Sequence, residues 1–126
     1  MTHSARVDRP RHILAGVPAR LEEEQFDTLL QTPGIRLQRV ISPPAHTMGA
    51  DEWFDQDEDE FVLVLQGRGA LILEGQAQEI VLNPGDYLRL PAGLRHRIAW
   101  TDAQIPTIWL ALHLQTPVPW APPFSG

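Results

Sequence analysis

The rhythm of apolar and polar positions changes near residue 34. Before it, Leu21, Phe26, Leu29 and Leu30 give Ala19–Gln31 an apolar side at spacings close to a helical period. Pro18 stands where a helix can open, and Glu22–Glu24 fall where the positive end of a helix dipole favours acids. The pattern predicts a short helix ended by Thr32-Pro33-Gly34. A loose arm over Met1–Arg11 and a short edge strand over Ile13–Val17 are expected before it.

After residue 34, apolar runs of strand length alternate with turn signals. The runs are Ile35–Ile41, Glu60–Leu65, Ala70–Glu74, Glu79–Leu82, Tyr87–Leu90, His96–Trp100 and Thr107–Leu114. Between them lie Gly67-Arg68-Gly69, Glu74-Gly75-Gln76, Asn83-Pro84-Gly85-Asp86, Pro91-Ala92-Gly93 and Thr101-Asp102. Short strands at regular spacing argue for an all-β sandwich or barrel. The tail from Thr116 is rich in proline and cannot be a central strand. Its Val118, Trp120 and Phe124, with Ile13 and Leu14 of the arm, are expected to pack on something, a second subunit included, and a homodimer is expected. The layout is one domain: an arm and helix over 1–34, a barrel over 35–115 and a proline-rich tail over 116–126.

Composition narrows the class. The chain has 126 residues, 43% of them hydrophobic and 21% charged, as in a globular domain with a real core. It contains no cysteine, which removes disulfides and thiolate metal sites. A net charge of −6 without a basic stripe argues against nucleic acid as a partner. No apolar run is long enough to span a bilayer, and Met1–Arg11 lacks the apolar stretch of a signal peptide. A cytoplasmic protein with no membrane partner is expected.

Two stretches carry the candidate chemistry. In NPGDYLRLPAGLRHRIAW, residues 83–100, two turns punctuate two strands, with Gly85, Pro91, Gly93 and His96 at fixed offsets. In DEWFDQDEDEFVLVLQG, residues 51–67, an acidic run feeds an apolar strand, and Glu60 stands seven positions before Gly67. Here the chain resembles the cupin superfamily, whose second motif is G-x5-P-x-G-x2-H-x3-N; Trp100 takes the place of its Asn. The first motif, G-x5-H-x-H-x3,4-E-x6-G, fits at Glu60 and Gly67. Its histidine positions fall on Asp55 and Asp57 when counted from Gly49. Counted back from Glu60 they fall on Trp53 and Asp55, or on Phe54 and Gln56. The resemblance covers residues 35–114.

The resemblance implies a double-stranded β-helix, or jelly-roll barrel, often dimeric. Many such barrels hold one divalent ion through the motif histidines and glutamate. Carried onto this chain, Glu60 and His96 are the expected ligands, with Asp55 as the third and Gln56 as its alternate. Carboxylates with one imidazole suit Mn, Fe or Zn, with Ni a further option. A period of two sets Glu60, Val62 and Val64 on one face of their strand and His96, Ile98 and Trp100 on one face of theirs.

Plainer readings stand beside these. Asp57, Glu58 and Asp59 also read as a solvated turn whose charge discourages aggregation. His96 reads as a core histidine outside the motif context. A loop position suits His46 to solvent, and a structural role suits His113. Arg89, Arg95 and Arg97 are candidate anchors for an anionic substrate. Trp53, Trp100 and Trp109 suit either core or pocket. The Asp55, Asp57, Asp59 spacing opens like an EF-hand loop, but Glu60 and Gln66 stand where that loop needs Gly and Glu. Two functions remain open: a metal-dependent dioxygenase, isomerase or lyase acting on a small polar molecule, and a metal-free barrel that binds a small molecule without catalysis.

Overall fold

The computed structural model describes residues 5–117 and 119–124. Its eight strands are β1 (Gln25–Thr32), β2 (Ile35–Ser42), β3 (Asp59–Gln66), β4 (Gly69–Leu73), β5 (Ile80–Leu82), β6 (Tyr87–Leu90), β7 (His96–Thr101) and β8 (Thr107–Leu114). Two antiparallel sheets form, one ordered β1-β2-β8-β3-β6 and the other β5-β4-β7. The seven strands expected after residue 34 are all present, with ends shifted by at most a residue.

The expected helix is not. Residues 25–32 form β1, paired antiparallel with β2, and no helix occurs among the described residues. Pairing with β2 holds the stretch extended, and a register shift between Thr28 and Leu30 sets Phe26, opposite Val40, and Leu30, opposite Leu37, on different faces. β1 is an edge strand whose Phe26, Leu29 and Leu30 remain substantially exposed. Over the expected strand Ile13–Val17 no strand forms: residues 13–16 make a turn, fixed where Arg39 Nη1 donates to the carbonyl of Ile13 at 2.9 Å.

The core lies between the sheets. Strand alternation sends Val62 and Val64 of β3, Trp109 and Ala111 of β8 and Val40 of β2 inward to meet Leu71, Leu73 and Ile98 of the smaller sheet. Trp109 lies so close to β4 that a methyl group at Gly69 would stand 2.4 Å from its ring carbons. Gly67, at φ 72°, turns β3 into β4 against Thr107, whose Oγ1 would lie 2.8 Å from a side chain there. On the outer face, Phe61 of β3 and Tyr87 of β6 sit 5.3 Å apart, and Trp120 of the tail covers both at 6.4 and 5.7 Å. The tail thus packs on its own chain at Trp120; Val118 lies outside the described residues. No helix of the described residues is long and apolar enough to cross a membrane.

Trp109 is 3% exposed and packs in the core cluster, with the cavity along one side, so its rigid ring can yield to a methyl group only by shifting core neighbours or moving into the cavity. Gly69→Ala should therefore destabilise the fold by about 1–3 kcal/mol, the usual cost of overpacking. A urea midpoint unchanged from wild type would show that the ring moves aside.

Candidate functional site

Between the sheets lies a cavity of about 270 Å³ with an apolar waist and polar ends. Glu60 enters it because β3 alternates: Glu60, Val62 and Val64 face inward, at 8%, 5% and 0% exposure. His96 enters from β7, in the other sheet, and is 3% exposed. The two side chains meet across the barrel, His96 Nε2 lying 3.3 Å from Glu60 Oε1. The Nδ1 of His96 lies 3.4 Å from the carbonyl of Leu94, so the tautomer decides whether the neutral ring donates there or to the carboxylate.

The irregular segment before β3 is pinned to this pair. Phe54 N–H donates to the His96 carbonyl at 2.7 Å, and His96 N–H donates to the Phe54 carbonyl at 3.1 Å. The Gln56 carbonyl accepts from Gly93 N–H at 2.9 Å. That clamp sets Phe54 and Gln56 inward. The Gln56 amide donates to Glu60 Oε1 at 2.6 Å, and the Phe54 ring lies 5.3 Å from the His96 ring. Of the three ways of counting the first motif, the one that lands on Phe54 and Gln56 has the inward register. Asp55 is exposed and outside the cavity, where its charge is felt by Arg95. Glu60, His96 and Gln56 are thus brought together, and Asp55 is not.

The acidic run divides by partner. Asp59, 4% exposed, accepts from Arg89 Nη2 at 3.2 Å and from Ala92 N–H at 2.9 Å, so it fastens the turn before His96. Glu58 accepts from Arg36 Nη2 at 3.1 Å. Asp51, Asp55 and Asp57 are exposed. The solvated-turn reading therefore holds for Asp57 but not for Glu58 or Asp59.

Other expectations shift as well. None of Arg89, Arg95 or Arg97 lines the cavity; the arginine that does is Arg36. Arg95 and Arg97 flank the Trp53 ring at 5.5 and 4.4 Å instead. Trp100 does not share a face with Ile98. A register shift between Ala70 and Leu71 turns it outward, where its Nε1–H donates to Glu79 at 2.8 Å and Arg68 covers the ring. Trp109 does line the cavity.

His113 lines it too, opposite Glu60 in the β3–β8 register. Its signal in the sequence was the period of two through Trp109 and Ala111. Burial pushes its pKa below the ordinary 6.5; Arg36 and His96 act the same way, while Glu60 and Glu58 oppose. Its Nδ1 is buried without a hydrogen-bond partner.

First-row divalent ions are normally held by at least three His, Cys, Asp or Glu donors. Among the described residues no such group of three is placed to hold an ion. Glu60 and His96 supply two, and Gln56 turns its amide nitrogen, not its oxygen, toward Glu60. As arranged, the residues do not fit a metal site.

The profile of the cupin domain family matches residues 38–113, more than half of the chain. The chain is a cupin. Acireductone dioxygenase of Rhodopseudomonas palustris (strain TIE-1) is 31% identical over 78 residues, which are 60% of this cupin and 46% of that enzyme. This cupin thus spans about half the length of the curated relatives it matches. A crystal structure from Ralstonia eutropha JMP134, of a protein provisionally named a mannose-6-phosphate isomerase, is 37% identical with a TM-score of 0.82. The match covers 86% of this cupin and 100% of that chain. A cupin superfamily protein from Desulfitobacterium hafniense DCB-2 shares the fold, with a TM-score of 0.69 at 21% identity over 86% of this cupin and 93% of that chain.

The lowered pKa of His113 has a sign that can be worked out. The folded chain refuses a proton that the unfolded chain accepts below 6.5. Stability should therefore fall as pH drops from that value toward the folded pKa, and be unaffected by this group above it. His113→Asn should lose less stability than wild type between about pH 7.5 and about pH 5.5, as read by urea unfolding. Equal losses would show that His113 titrates normally.

Proposed function

We propose that this cupin binds a compact polar molecule in its barrel and works on it through the Glu60–His96 pair without a resident metal. The observation that carries the reading is the closed contact of Gln56, Glu60 and His96: a buried carboxylate whose charge is met by an amide N–H at 2.6 Å and an imidazole nitrogen at 3.3 Å. With a proton on Nε2 the imidazole donates to the carboxylate, and the pair needs no cation for compensation. It offers a bound molecule a carboxylate acceptor and an imidazole beside it, the equipment for moving a proton between two positions of a ligand. Apolar walls from Phe54, Val62 and Ile98 strengthen every hydrogen bond made there.

The chemistry this supports is proton transfer, of isomerase or lyase type. Dioxygenation needs a redox centre, for which two strong donors are a poor base. The isomerase name of the Ralstonia eutropha protein agrees with this direction. The dioxygenase name of the curated relatives points the other way, and they match over less than half their length.

A second reading is favoured by the same convergence. If the Gln56 amide turns over, its oxygen joins Glu60 and His96 as a third donor, and the repulsion between the two oxygens is relieved only by a cation between them. The ion is then Mn(II), Fe(II), Zn(II) or Ni(II), bound more weakly than by three imidazoles.

Metal content separates the two. Protein purified without chelator, incubated with each of these ions and desalted at high ionic strength, should retain far less than one ion per chain. Near-stoichiometric, salt-resistant metal that disappears in Gln56→Leu would establish the second reading. Under the metal-free reading, Glu60→Gln should weaken binding of small hydroxylated compounds about tenfold or more, the scale of a hydrogen bond to a buried charge. The readout is the shift of the His96 imidazole resonances. Unchanged affinity would remove Glu60 from the binding site.

A further inference from the structure

The end of the cavity away from Glu60 carries polar machinery that neither motif predicts. Glu24, on the segment leading into β1, lines the cavity with a side chain only 9% exposed. The Ser42 hydroxyl donates to its Oε2 at 2.7 Å, and Trp109 Nε1–H donates to the Ser42 oxygen at 3.0 Å. Ser42 is 0% exposed, and both its donor and one lone pair are thereby used. His46 Nε2 faces Glu24 Oε1 at 3.6 Å and is buried with no hydrogen-bond partner.

The loop holding His46 is costly. Ala45 lies at φ 55°, the positive-φ non-glycine position among the described residues, and left-handed backbone at a residue with a Cβ is unfavourable by about 1 kcal/mol. Two bonds hold the loop there: Ala45 N–H to the Asp102 carbonyl at 2.7 Å and His46 N–H to Thr101 Oγ1 at 2.8 Å. A carboxylate fixed by a serine that a tryptophan orients, and faced by a histidine on a strained loop, is a built group, not a surface acid turned inward. Burial pushes the Glu24 pKa up, against the opposing pull of Ser42 and His46.

Register gives the separation of the two ends. Ser42 pairs with Thr107 and Glu60 with His113, at opposite ends of β8. Six residues of strand correspond to about 20 Å of backbone, which the inward lean of the side chains shortens. Between them the walls are Val40, Val62, Leu71, Ile98 and Ala111, with the polar Gln38 opposite Ala111. The cavity is therefore long, mostly apolar at the waist, and ends in a carboxylate acceptor at each pole.

We propose that the ligand is an elongated neutral molecule with a hydroxyl near each end and an aliphatic middle, Glu24 accepting one hydroxyl and Glu60 the other. This rests on the reading that Glu60 and His96 bind a small molecule. Charge argues against an anion, which would face two carboxylates while Arg36 on the same wall is already paired with Glu58.

The probes are straight-chain α,ω-diols and the corresponding 1-alkanols, from butane to octane, titrated into the isotopically labelled full chain. At one length, the diol should bind about fivefold to tenfold more tightly than its alkanol, although the alkanol is the more hydrophobic; that is the worth of one added hydrogen bond. The indole N–H resonance of Trp109, linked to Glu24 through Ser42, should move with the diol far more than with the alkanol. Glu24→Ala should reduce the diol to alkanol affinity. Glu24→Gln, which keeps an acceptor oxygen and the packing, should retain part of the advantage and serves if the alanine variant does not fold. If diols and alkanols bind alike at every length, and Glu60→Gln weakens both, the Glu24 end is refuted while the Glu60 reading stands. If no probe shifts the cavity resonances, both are refuted. A diol advantage unchanged in Glu24→Ala also refutes the inference.

Discussion

A buried carboxylate must be compensated, and in this barrel that requirement at Glu60 organises everything around it. Unpaired, such a charge costs several kcal/mol after relaxation. Its partners come from separate places: Gln56 from an irregular segment and His96 from the opposite sheet. Holding them there requires the two-way bridge between Phe54 and His96 and the bond from Gly93 to Gln56. Asp59, the next residue on β3, points to the other face and fastens the same turn through Ala92 N–H while pairing with Arg89. Adjacent acids on one strand thus perform opposite tasks, one presenting charge to the cavity and the other locking the turn that delivers the imidazole. The acidic run is neither wholly a solvated turn nor wholly a cation trap.

Seven strands and the turn preceding His96 were legible because each is set locally, by alternation of apolar residues and by Gly and Pro at fixed offsets. β1 was not. Its Phe26, Leu29 and Leu30 fall at the spacing of a helix face, and the acids at Glu22–Glu24 agree with a helix start, so two local signals were wrong together. Only pairing with β2 along Gln25–Thr32 decides the matter, and pairing is not a local property. Trp100 misled for the same reason, a register shift breaking a period of two.

The site was half legible. Glu60 and His96 follow from motif spacing. Choosing between Asp55 and Gln56 required knowing that Phe54 is bridged to β7, which fixes the alternation of residues 54–56 before β3 begins. Glu24, Arg36 and His113 enter the cavity through register, His46 is brought against Glu24 by a loop anchored on Thr101 and Asp102, and no fixed sequence distance joins them to the motifs.

Family membership and site chemistry diverge at two positions. The turn, the strands and the glutamate–histidine contact belong to a cupin, and the family profile spans them. Where the first motif has imidazoles, the inward register holds Phe54 and Gln56. Each substitution removes a strong donor, and each adds something else. Phe54 contributes an apolar wall against His96, which lowers the local dielectric and strengthens the polar contacts that remain. Gln56 contributes an N–H that stabilises the carboxylate without neutralising it. The two changes are mutually consistent. A carboxylate deprived of a cation and placed among apolar rings would be untenable unless a donor were supplied, and the position that lost its imidazole supplies one. Gln56 and His96 thus stand beside the Glu60 carboxylate where the family motif carries imidazoles, and it is on that contact that the metal-free proposal rests.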